Sequence, residues 1–178
     1  MGHVVFKRLK DEVEELVNFI ISNEWPFHAG EKSTREQIIN FYENGWYGDG
    51  RETFWIERNQ KKVGLIIIHD IQDTIPLFDL RIRNNERGRG IGTQILLWLQ
   101  DYIFNLPNKK IRIEAYTRSD NLAMRKAFTK SGFVKEGYLR NAWENNDGGY
   151  SDALCYAVIR EDWEKHTITP IKIDDLPY

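Results

Sequence analysis

The chain has 178 residues, the length of one domain, and 41% of them are apolar while 29% are charged. This composition excludes a disordered chain, and the length allows a core that buries roughly 70% of the unfolded surface. The single cysteine, Cys155, excludes an internal disulfide framework, and the four histidines lack metal-ligand spacing, so we expect no metal site. No apolar run approaches the ~18 residues of a membrane helix, and the start MGHVVFKRLKDEVEE has no signal-peptide core. We therefore expect a cytoplasmic protein that does not bind a membrane.

The net charge of −2 conceals an uneven distribution along the chain. Residues 81–135 hold twelve Lys and Arg against four Asp and Glu, whereas the other residues hold thirteen against twenty-three. A polyanion would prefer the first segment and a cation the rest of the chain. The basic segment carries no recognised nucleic-acid motif and no interleaved aromatic residues, so we expect no nucleic-acid partner.

In the first half of the chain, hydrophobic spacing predicts a strand over 3–9, helices over 11–24 and 34–44, and strands over 52–58 and 63–70. The segment WPFHAG (25–30) is predicted to be a loop because its proline disfavours helix at Trp25. The turn Asn59-Gln60-Lys61-Lys62 between the last two strands predicts a hairpin.

In the second half, the pattern predicts a strand over 76–83, a helix over about 91–105, a strand over 110–117, a helix over about 121–131, and strands over 133–143 and 150–159. The first three of these form a βαβ crossover, so their two strands should run parallel. The remaining order of elements does not alternate strictly, which indicates an α+β fold with a mixed sheet.

A glycine-rich loop lies between the strand over 76–83 and the helix that follows it. Its residues are suited to an anion, since glycine admits close backbone approach and a helix start is electropositive. They are Arg87, Gly88, Arg89, Gly90, Ile91, Gly92 and Thr93. The loop is not a P-loop, because no Gly-Lys-Ser/Thr is present, and it reads GxGxG where the dinucleotide fingerprint needs GxGxxG. It does match the pattern [R/Q]xxGxG.

Two segments resemble the GNAT superfamily of N-acetyltransferases: RGRGIGT (87–93) and DNLAMRKAFTKSGF (120–133). The form of GYLRNAW, and the DW near residue 163, is most similar to the branch that contains ribosomal-protein N-terminal acetyltransferases. The resemblance implies an α+β fold in which a mixed, mostly antiparallel sheet with a splayed parallel strand pair is flanked by helices. We expect one acetyltransferase domain over 1–165 and a C-terminal tail over 166–178.

The resemblance also implies acetyl-CoA as cosubstrate and no metal. The strand segments 80–82 and 110–117 would splay and hydrogen-bond the pantetheine, and the backbone amides of 88–93 would hold the pyrophosphate. Asn121 would contact the pantetheine arm, and Lys126, with Arg125 or Arg118 as alternatives, would meet the 3′-phosphate. The expected cofactor-binding residues are Leu80, Arg81, Ile82, Arg87, Gly88, Arg89, Gly90, Ile91, Gly92, Thr93, Asn121 and Lys126.

The implied reaction is direct attack of a primary amine on the thioester. At pH 7 an alkyl ammonium must first lose a proton at a cost of roughly 4.6 kcal/mol, whereas the leaving thiolate needs less help. A general base should therefore matter more than a general acid. Glu114 is the first candidate for the base, acting through a water, and Asp152 and Glu144 are alternatives. His28 is considered as well, because histidine is the side chain type whose ordinary pKa lies nearest neutrality.

The general acid is harder to assign, because Phe128 stands where many members of the family have a tyrosine. Either the thiolate leaves without a proton donor, or another tyrosine supplies the proton. The candidates are Tyr116, Tyr138 and Tyr150. We include Glu114, Tyr116 and Asp152 as the expected catalytic residues.

The loop after the first helix resembles the loop that borders the acceptor in such folds, and its Trp25, Phe27 and His28 are the expected acceptor-binding residues. Aromatic residues elsewhere are candidates for further walls: Trp46, Tyr47 and Trp143. The acceptor is a small amine, an aminoglycoside or a peptide or protein N-terminus, and the acidic remainder of the chain favours a cationic amine. The alternative is a non-catalytic acyl-CoA sensor, and the family implies a possible homodimer.

Overall fold

The computed structural model describes residues 3–29 and 32–175. Gly30 of the predicted loop and residues 176–178 of the predicted tail lie outside the described residues. The strands are β1 (Val4–Arg8), β2 (Glu52–Arg58), β3 (Lys61–His69), β4 (Leu77–Ile82), β5 (Arg112–Arg118), β6 (Val134–Glu144) and β7 (Tyr150–Ile159). The α-helices are α1 (Val13–Ile21), α2 (Arg35–Glu43), α3 (Ile91–Phe104), α4 (Leu122–Lys130) and α5 (Arg160–Lys165).

The strands form two antiparallel sheets, one in the order β1-β2-β3-β4 and the other in the order β5-β7-β6. The sheets meet where β4 and β5 start side by side: the amide of Ile111 donates to the carbonyl of Thr74 (2.9 Å), and that of Glu114 to the carbonyl of Pro76 (3.1 Å). In the described residues no ladder continues between the two strands beyond this point. The predicted α+β fold with a splayed parallel pair is confirmed, and the splay divides the sheet in two.

Strand β3 is buried on both faces, which places the first sheet at the centre of the molecule. Leu65 and Ile67 pack with α1 and α2 on one face, while Ile66 and Ile68 join the core beneath α3 on the other. All four are at most 3% exposed. A strand buried on both faces reads as a continuous apolar run, which is what GLIII shows. The sheet therefore separates α1 and α2 from α3 and α4.

The hairpin between β2 and β3 is tighter than predicted. Asn59 and Gln60 alone form the turn, with φ of 51° and 61°, and Lys61 and Lys62 belong to β3. Positive φ at both central residues matches the right-handed twist of a two-residue hairpin. Lys62 pairs with Glu57 of β2, and its ammonium contacts the carboxylate of Glu12, the N-cap residue of α1, at 2.5 Å.

Helix α1 is shorter than predicted and ends at Ile21. The side-chain amide of Asn23 donates to the carbonyl of Phe19 (2.7 Å), which satisfies one of the carbonyls left free at a helix end. The chain then turns into the loop that contains Trp25.

The start of the predicted tail is held by α5. The carboxylate of Asp162, 4% exposed, accepts hydrogen bonds from the amide of Thr169 at 3.0 Å. The indole of the neighbouring Trp163 donates to Asp101 on α3 (2.9 Å). The DW dipeptide thus has a structural role at this position, and the boundary at residue 165 stays a prediction.

Candidate active site

The loop between β4 and α3 has the backbone geometry of an anion site, and we call residues 88–93 the cradle. Gly88 and Gly90 have φ of 74° and 76°, in the left-handed region that glycine adopts without strain. Gly90 is the N-cap residue of α3, so the first amides of the helix face the loop. Gly92 lies where α3 packs on α4, and a Cβ at this position would make an ordinary van der Waals contact with the Cβ of Ala127, at 3.5 Å.

A cavity of about 510 Å³ runs from the cradle between β4 and α4. Most of the expected cofactor residues line it: Leu80, Ile82, Arg87, Gly88, Gly90, Ile91, Gly92, Thr93, Asn121 and Lys126. The backbone of the cradle, the helix start and the lysines on α4 are electropositive, so the cavity suits an elongated ligand with phosphates at the cradle end.

Two expected cofactor residues do not line this cavity. The guanidinium of Arg81 lies 3.2 Å from the carboxylate of Asp79 and 5.4 Å from the ring centre of Trp25, on the other side of β4. The side chain of Arg89 is 56% exposed, and its nearest acidic group is Glu86 at 3.9 Å. Arg81 can therefore serve the cofactor only through its backbone, whereas Arg89 is free to reach a phosphate.

The basic candidates for the 3′-phosphate differ in the contacts that their side chains make. Arg118 pairs with Asp120 (2.5 Å), and Arg125 donates to the carbonyl of Ser119 (2.8 Å). Lys126 lines the cavity, and so does Lys130, which the sequence did not single out.

Asn121 connects the larger cavity with a smaller one. Its side-chain oxygen accepts from the amide of Met124 (3.2 Å) and caps α4, while its side-chain nitrogen donates to Thr117 on β5 (3.0 Å). These two bonds fix the amide group between the splayed strands, where it borders both cavities. One N–H and one lone pair of the side chain are left for a ligand.

The smaller cavity, of about 150 Å³, lies in the gap between β4 and β5. It is lined mainly by apolar and aromatic side chains: Phe27, His28, Phe78, Asp79, Leu80, Ala115, Tyr116, Thr117, Asn121, Met124, Phe128 and Trp143. Among the residues that the structure describes, Asp79 is the one acidic residue in this lining, and no lysine or arginine belongs to it. We call this space the acceptor pocket.

The carboxylate of Asp79 is held by two neighbours. Its Oδ1 lies 3.1 Å from Nε2 of His28, and its Oδ2 accepts from Arg81 at 3.2 Å. Burial by itself raises the pKa of Asp79, but the charges of Arg81 and His28 outweigh burial and hold the pKa well below its usual range. Asp79 is therefore a carboxylate throughout the working pH range.

Of the expected catalytic residues, Tyr116 reaches the acceptor pocket, and its hydroxyl lies 3.3 Å from Glu114. Glu114 stands behind it, paired with Arg112 at 3.0 Å. Burial, together with Cys155 and Glu114, raises the pKa of Tyr116 to about 12, so the phenol stays protonated. The two residues lie on one face of β5, as their spacing predicts.

Asp152, the third expected catalytic residue, lies elsewhere. Its carboxylate accepts from the amide of Asn141 (2.9 Å) and from the hydroxyl of Tyr138. Asn141 has φ of 51° and lies in an irregular stretch of β6, so Asp152 stabilises this bulge. Asp152, Asn141 and Tyr138 line neither of the two cavities.

The remaining proton-transfer candidates are also peripheral or apolar. Tyr150 is 67% exposed, next to Glu144 at the β6–β7 turn. Phe128 is 1% exposed and stacks on Tyr156 with ring centres 4.7 Å apart, so it is a core residue with one edge at the acceptor pocket.

The expected acceptor residues divide into two groups. Phe27 and His28 line the acceptor pocket, whereas Trp25 does not: its indole donates to the carbonyl of Ile20 (2.9 Å), and its ring packs on Phe19. Among the aromatic candidates for further walls, Trp143 lines the pocket, while Trp46 and Tyr47 belong to the core beside α1 and α2.

The sequence analysis missed Asp79. The signal was present, because Asp79 and Arg81 are two of the three charged positions in the alternating strand PLFDLRIR. A strand with period two places both on one face. The strand pattern could not show that His28, 51 positions away, lies against the carboxylate of Asp79.

The fold and the site together define an acyl-CoA-dependent acyltransferase architecture. A small domain of antiparallel sheets has a glycine cradle at a helix start and a split between two parallel strands. The family model of the acetyltransferase (GNAT) family matches residues 16–133. The chain belongs to this family and is an acetyl-CoA-dependent N-acetyltransferase. This match does not show that the chain belongs to the branch of ribosomal-protein N-terminal acetyltransferases.

Solved structures with the same fold include spermidine N-acetyltransferase SpeG from Vibrio cholerae. A chimera of SpeG with hSSAT has a TM-score of 0.79 at 18% identity, over 90% of this chain and 98% of that one. The SpeG complex with CoA and spermine has a TM-score of 0.74 at 20% identity, over 90% and 98%. A dodecameric form of SpeG has a TM-score of 0.75 at 16% identity, over 92% and 97%.

No curated protein gave a significant sequence match to this chain. Among the described residues, every helix is too short or too polar to cross a membrane.

Proposed function

We propose that this enzyme acetylates a cationic primary amine carried on a narrow alkyl arm. The observation that carries the proposal is the acceptor pocket, in which one carboxylate, Asp79, stands among aromatic and aliphatic side chains. An ammonium group is attracted both to a carboxylate and to aromatic faces such as those of Phe27 and Trp143. The structural likeness to a spermidine acetyltransferase agrees with this class of acceptor.

The size of the pocket supports an alkyl amine over the other acceptors. About 150 Å³ admits an aminoalkyl end with a few methylene groups. An aminoglycoside would enter only through an amine on a projecting arm. A protein N-terminus is the acceptor that the ribosomal-protein branch would imply, but the features that carry that resemblance have structural roles here. The DW dipeptide anchors the start of the tail, and GYLRNAW contains the bulge that Asp152 stabilises.

The cradle and the cavity beside it fit acetyl-CoA. Two glycines with positive φ expose backbone amides at the start of α3, and Lys126 and Lys130 lie along the same cavity. We expect the amides of 88–93 to hold the pyrophosphate and Asn121 to orient the pantetheine. When bound, the cosubstrate supplies the thioester whose carbonyl the amine attacks.

Removal of the proton from the ammonium is the step for which the protein must supply a group. We propose that Tyr116 and Glu114 form the proton path, because Tyr116 borders the acceptor pocket and its hydroxyl contacts Glu114. Glu114 is the final acceptor of the proton, through Tyr116 or a water beside it. Asp79 is a poor base, since Arg81 and His28 keep its pKa low, and its role is to bind the ammonium.

A thiol-release assay with acetyl-CoA tests the proposed acceptor. We expect polyamines and ω-aminoalkyl compounds to give turnover, with aminoglycosides and peptides carrying a free N-terminus far behind. Turnover with peptides alone would overturn the cationic alkyl amine and restore the ribosomal-protein branch. Acetyl-CoA binding without thiol release across the whole panel would restore the acyl-CoA sensor. Self-association, as in the dodecameric SpeG, stays a prediction for this chain, and light scattering on the same sample measures it.

Glu114→Gln should lower kcat about 100-fold or more at neutral pH, the usual range for loss of a general base. The loss should shrink as the pH rises, because the amine then arrives already deprotonated. Glu136→Gln is a matched control, since Glu136 also pairs with Arg112 (2.8 Å) and the charge change is the same. Equal pH–rate profiles for the two variants would remove Glu114 from the proton path, and an unchanged Tyr116→Phe rate would leave water as the relay.

A further inference from the structure

The segment that borders the acceptor pocket is held by side chains from the cofactor-binding elements. We call residues 24–29 the acceptor loop. Arg87, the residue before the cradle, donates from Nη2 to the carbonyl of Glu24 (2.8 Å) and from Nε to the carbonyl of Ile82 (2.8 Å). One guanidinium thus joins the acceptor loop to the end of β4, immediately before the cradle.

Further contacts repeat this connection. Arg118, at the end of β5, donates to the carbonyl of Pro26 (3.2 Å) and lies 5.2 Å from the ring centre of Phe27. The carboxylate of Asp79 on β4 holds His28. Side chains from β4, from the end of β5 and from the residue before the cradle therefore all contact the acceptor loop.

The position of Arg87 argues against a direct role at the phosphates. Both of its described hydrogen bonds go to backbone carbonyls, and its guanidinium lies 5.6 Å from the ring centre of Trp25. Desolvation lowers the pKa of Arg87, whose side chain is partly buried. Arg89, two residues further on, has an exposed side chain and is the arginine available to an anion at the cradle.

We infer that Arg87 is a positioning residue for the amine acceptor, which keeps the acceptor loop seated against the cofactor site. This inference rests on the proposed function, because the loop borders the pocket assigned to the amine. A guanidinium suits the role since its planar fork can bridge two carbonyls at once, which an ammonium on a flexible stem does less well. The arginine of the [R/Q]xxGxG pattern therefore acts here on the acceptor side of the reaction.

Steady-state kinetics with acetyl-CoA and spermidine separate the two arginines. For Arg87→Ala we expect the KM for spermidine to rise about 10-fold or more, while the Kd for acetyl-CoA, measured by calorimetry, changes less than about 3-fold. For Arg89→Ala we expect the opposite pattern. Arg87→Lys should lie between Arg87→Ala and wild type, since a lysine can keep one of the two bonds.

A second readout does not need an acceptor. Hydrogen exchange measured by mass spectrometry should show lost protection in residues 24–29 of Arg87→Ala, with the protection of α3 retained, which also establishes that the variant is folded. If spermidine and every other amine fail with the wild type, the proposed function fails, and this exchange result still decides the role of Arg87. Unchanged exchange in the acceptor loop, together with an acetyl-CoA affinity reduced as much as in Arg89→Ala, would make Arg87 a phosphate ligand and overturn the inference.

Discussion

Gly90→Val is expected to abolish measurable acetyl-CoA binding while the domain still folds. Gly90 has φ of 76° at the N-cap of α3, a conformation that a β-branched residue adopts only at a cost of about 1–3 kcal/mol. Relief of this strain would rotate the peptide groups of the cradle away from the ligand. Since each hydrogen bond to a charged group contributes about 1.5–3 kcal/mol, losing two of them raises the Kd about 100-fold or more. Isothermal calorimetry with acetyl-CoA measures the effect.

Gly50→Val is the matched control for this variant. Gly50 also has positive φ, 67°, and a Cβ there would meet nothing within 4 Å, but it lies in the connection before β2, away from the cradle. We expect a similar loss of stability in thermal denaturation and unchanged acetyl-CoA affinity. If Gly90→Val binds acetyl-CoA like Gly50→Val, the cradle is only a turn and the cofactor lies elsewhere.

Asp79→Asn is expected to raise the KM for cationic amines about 10- to 100-fold, because an ammonium loses its charged partner in the acceptor pocket. The effect should fall on KM more than on kcat, since the carboxylate binds the ammonium before the proton is lost. An arylamine, which is uncharged at neutral pH, should lose much less. Asp73→Asn, the same charge change at an exposed position before β4, is the control. Equal losses for charged and uncharged amines would show that Asp79 only supports the loop through His28.

Asp79 should also make the stability of the protein depend on pH. Because its folded-state pKa is depressed, its contribution is fully present above the unfolded pKa of about 3.9 and is lost as the pH falls toward the folded value. Urea denaturation of the wild type and of Asp79→Asn should therefore differ most at neutral pH, and the difference should shrink below about pH 4. A difference that stays constant down to pH 3 would contradict the assigned pKa direction.

Local sequence was sufficient for the elements whose signals lie within one turn or one strand. Strands β2 and β7 have the predicted bounds because their apolar patterns are uninterrupted. The glycines of the cradle predicted a helix start with exposed amides, and φ of 74° and 76° agrees with that reading. The ends of α1 and of the β2–β3 turn differ from the predicted ones, since they depend on contacts that the local pattern does not contain, such as the bond from Asn23 to Phe19 and the pairing of Lys62 with β2.

The candidate site was predictable on the cofactor side and much less so on the acceptor side. A phosphate cradle is built from consecutive residues, so its motif is visible in the chain. The acceptor pocket is built from five separate elements, and its carboxylate, Asp79, is significant only because His28 and Arg81 converge on it. Likewise Asp152 looked available for catalysis until its bonds to Asn141 and Tyr138 were seen.

The amino-acid sequence by itself determined the family, the order of the seven strands and of α1 to α4, and the position of the glycine cradle, because these follow from periodicity and from backbone requirements of neighbouring residues. Only the tertiary structure decided which polar side chains face the acceptor and which serve packing. Arg87 and Arg89 are two residues apart and identical in type, yet one bridges two carbonyls and the other is exposed. That distinction arises from contacts between distant segments, which side-chain chemistry alone does not specify.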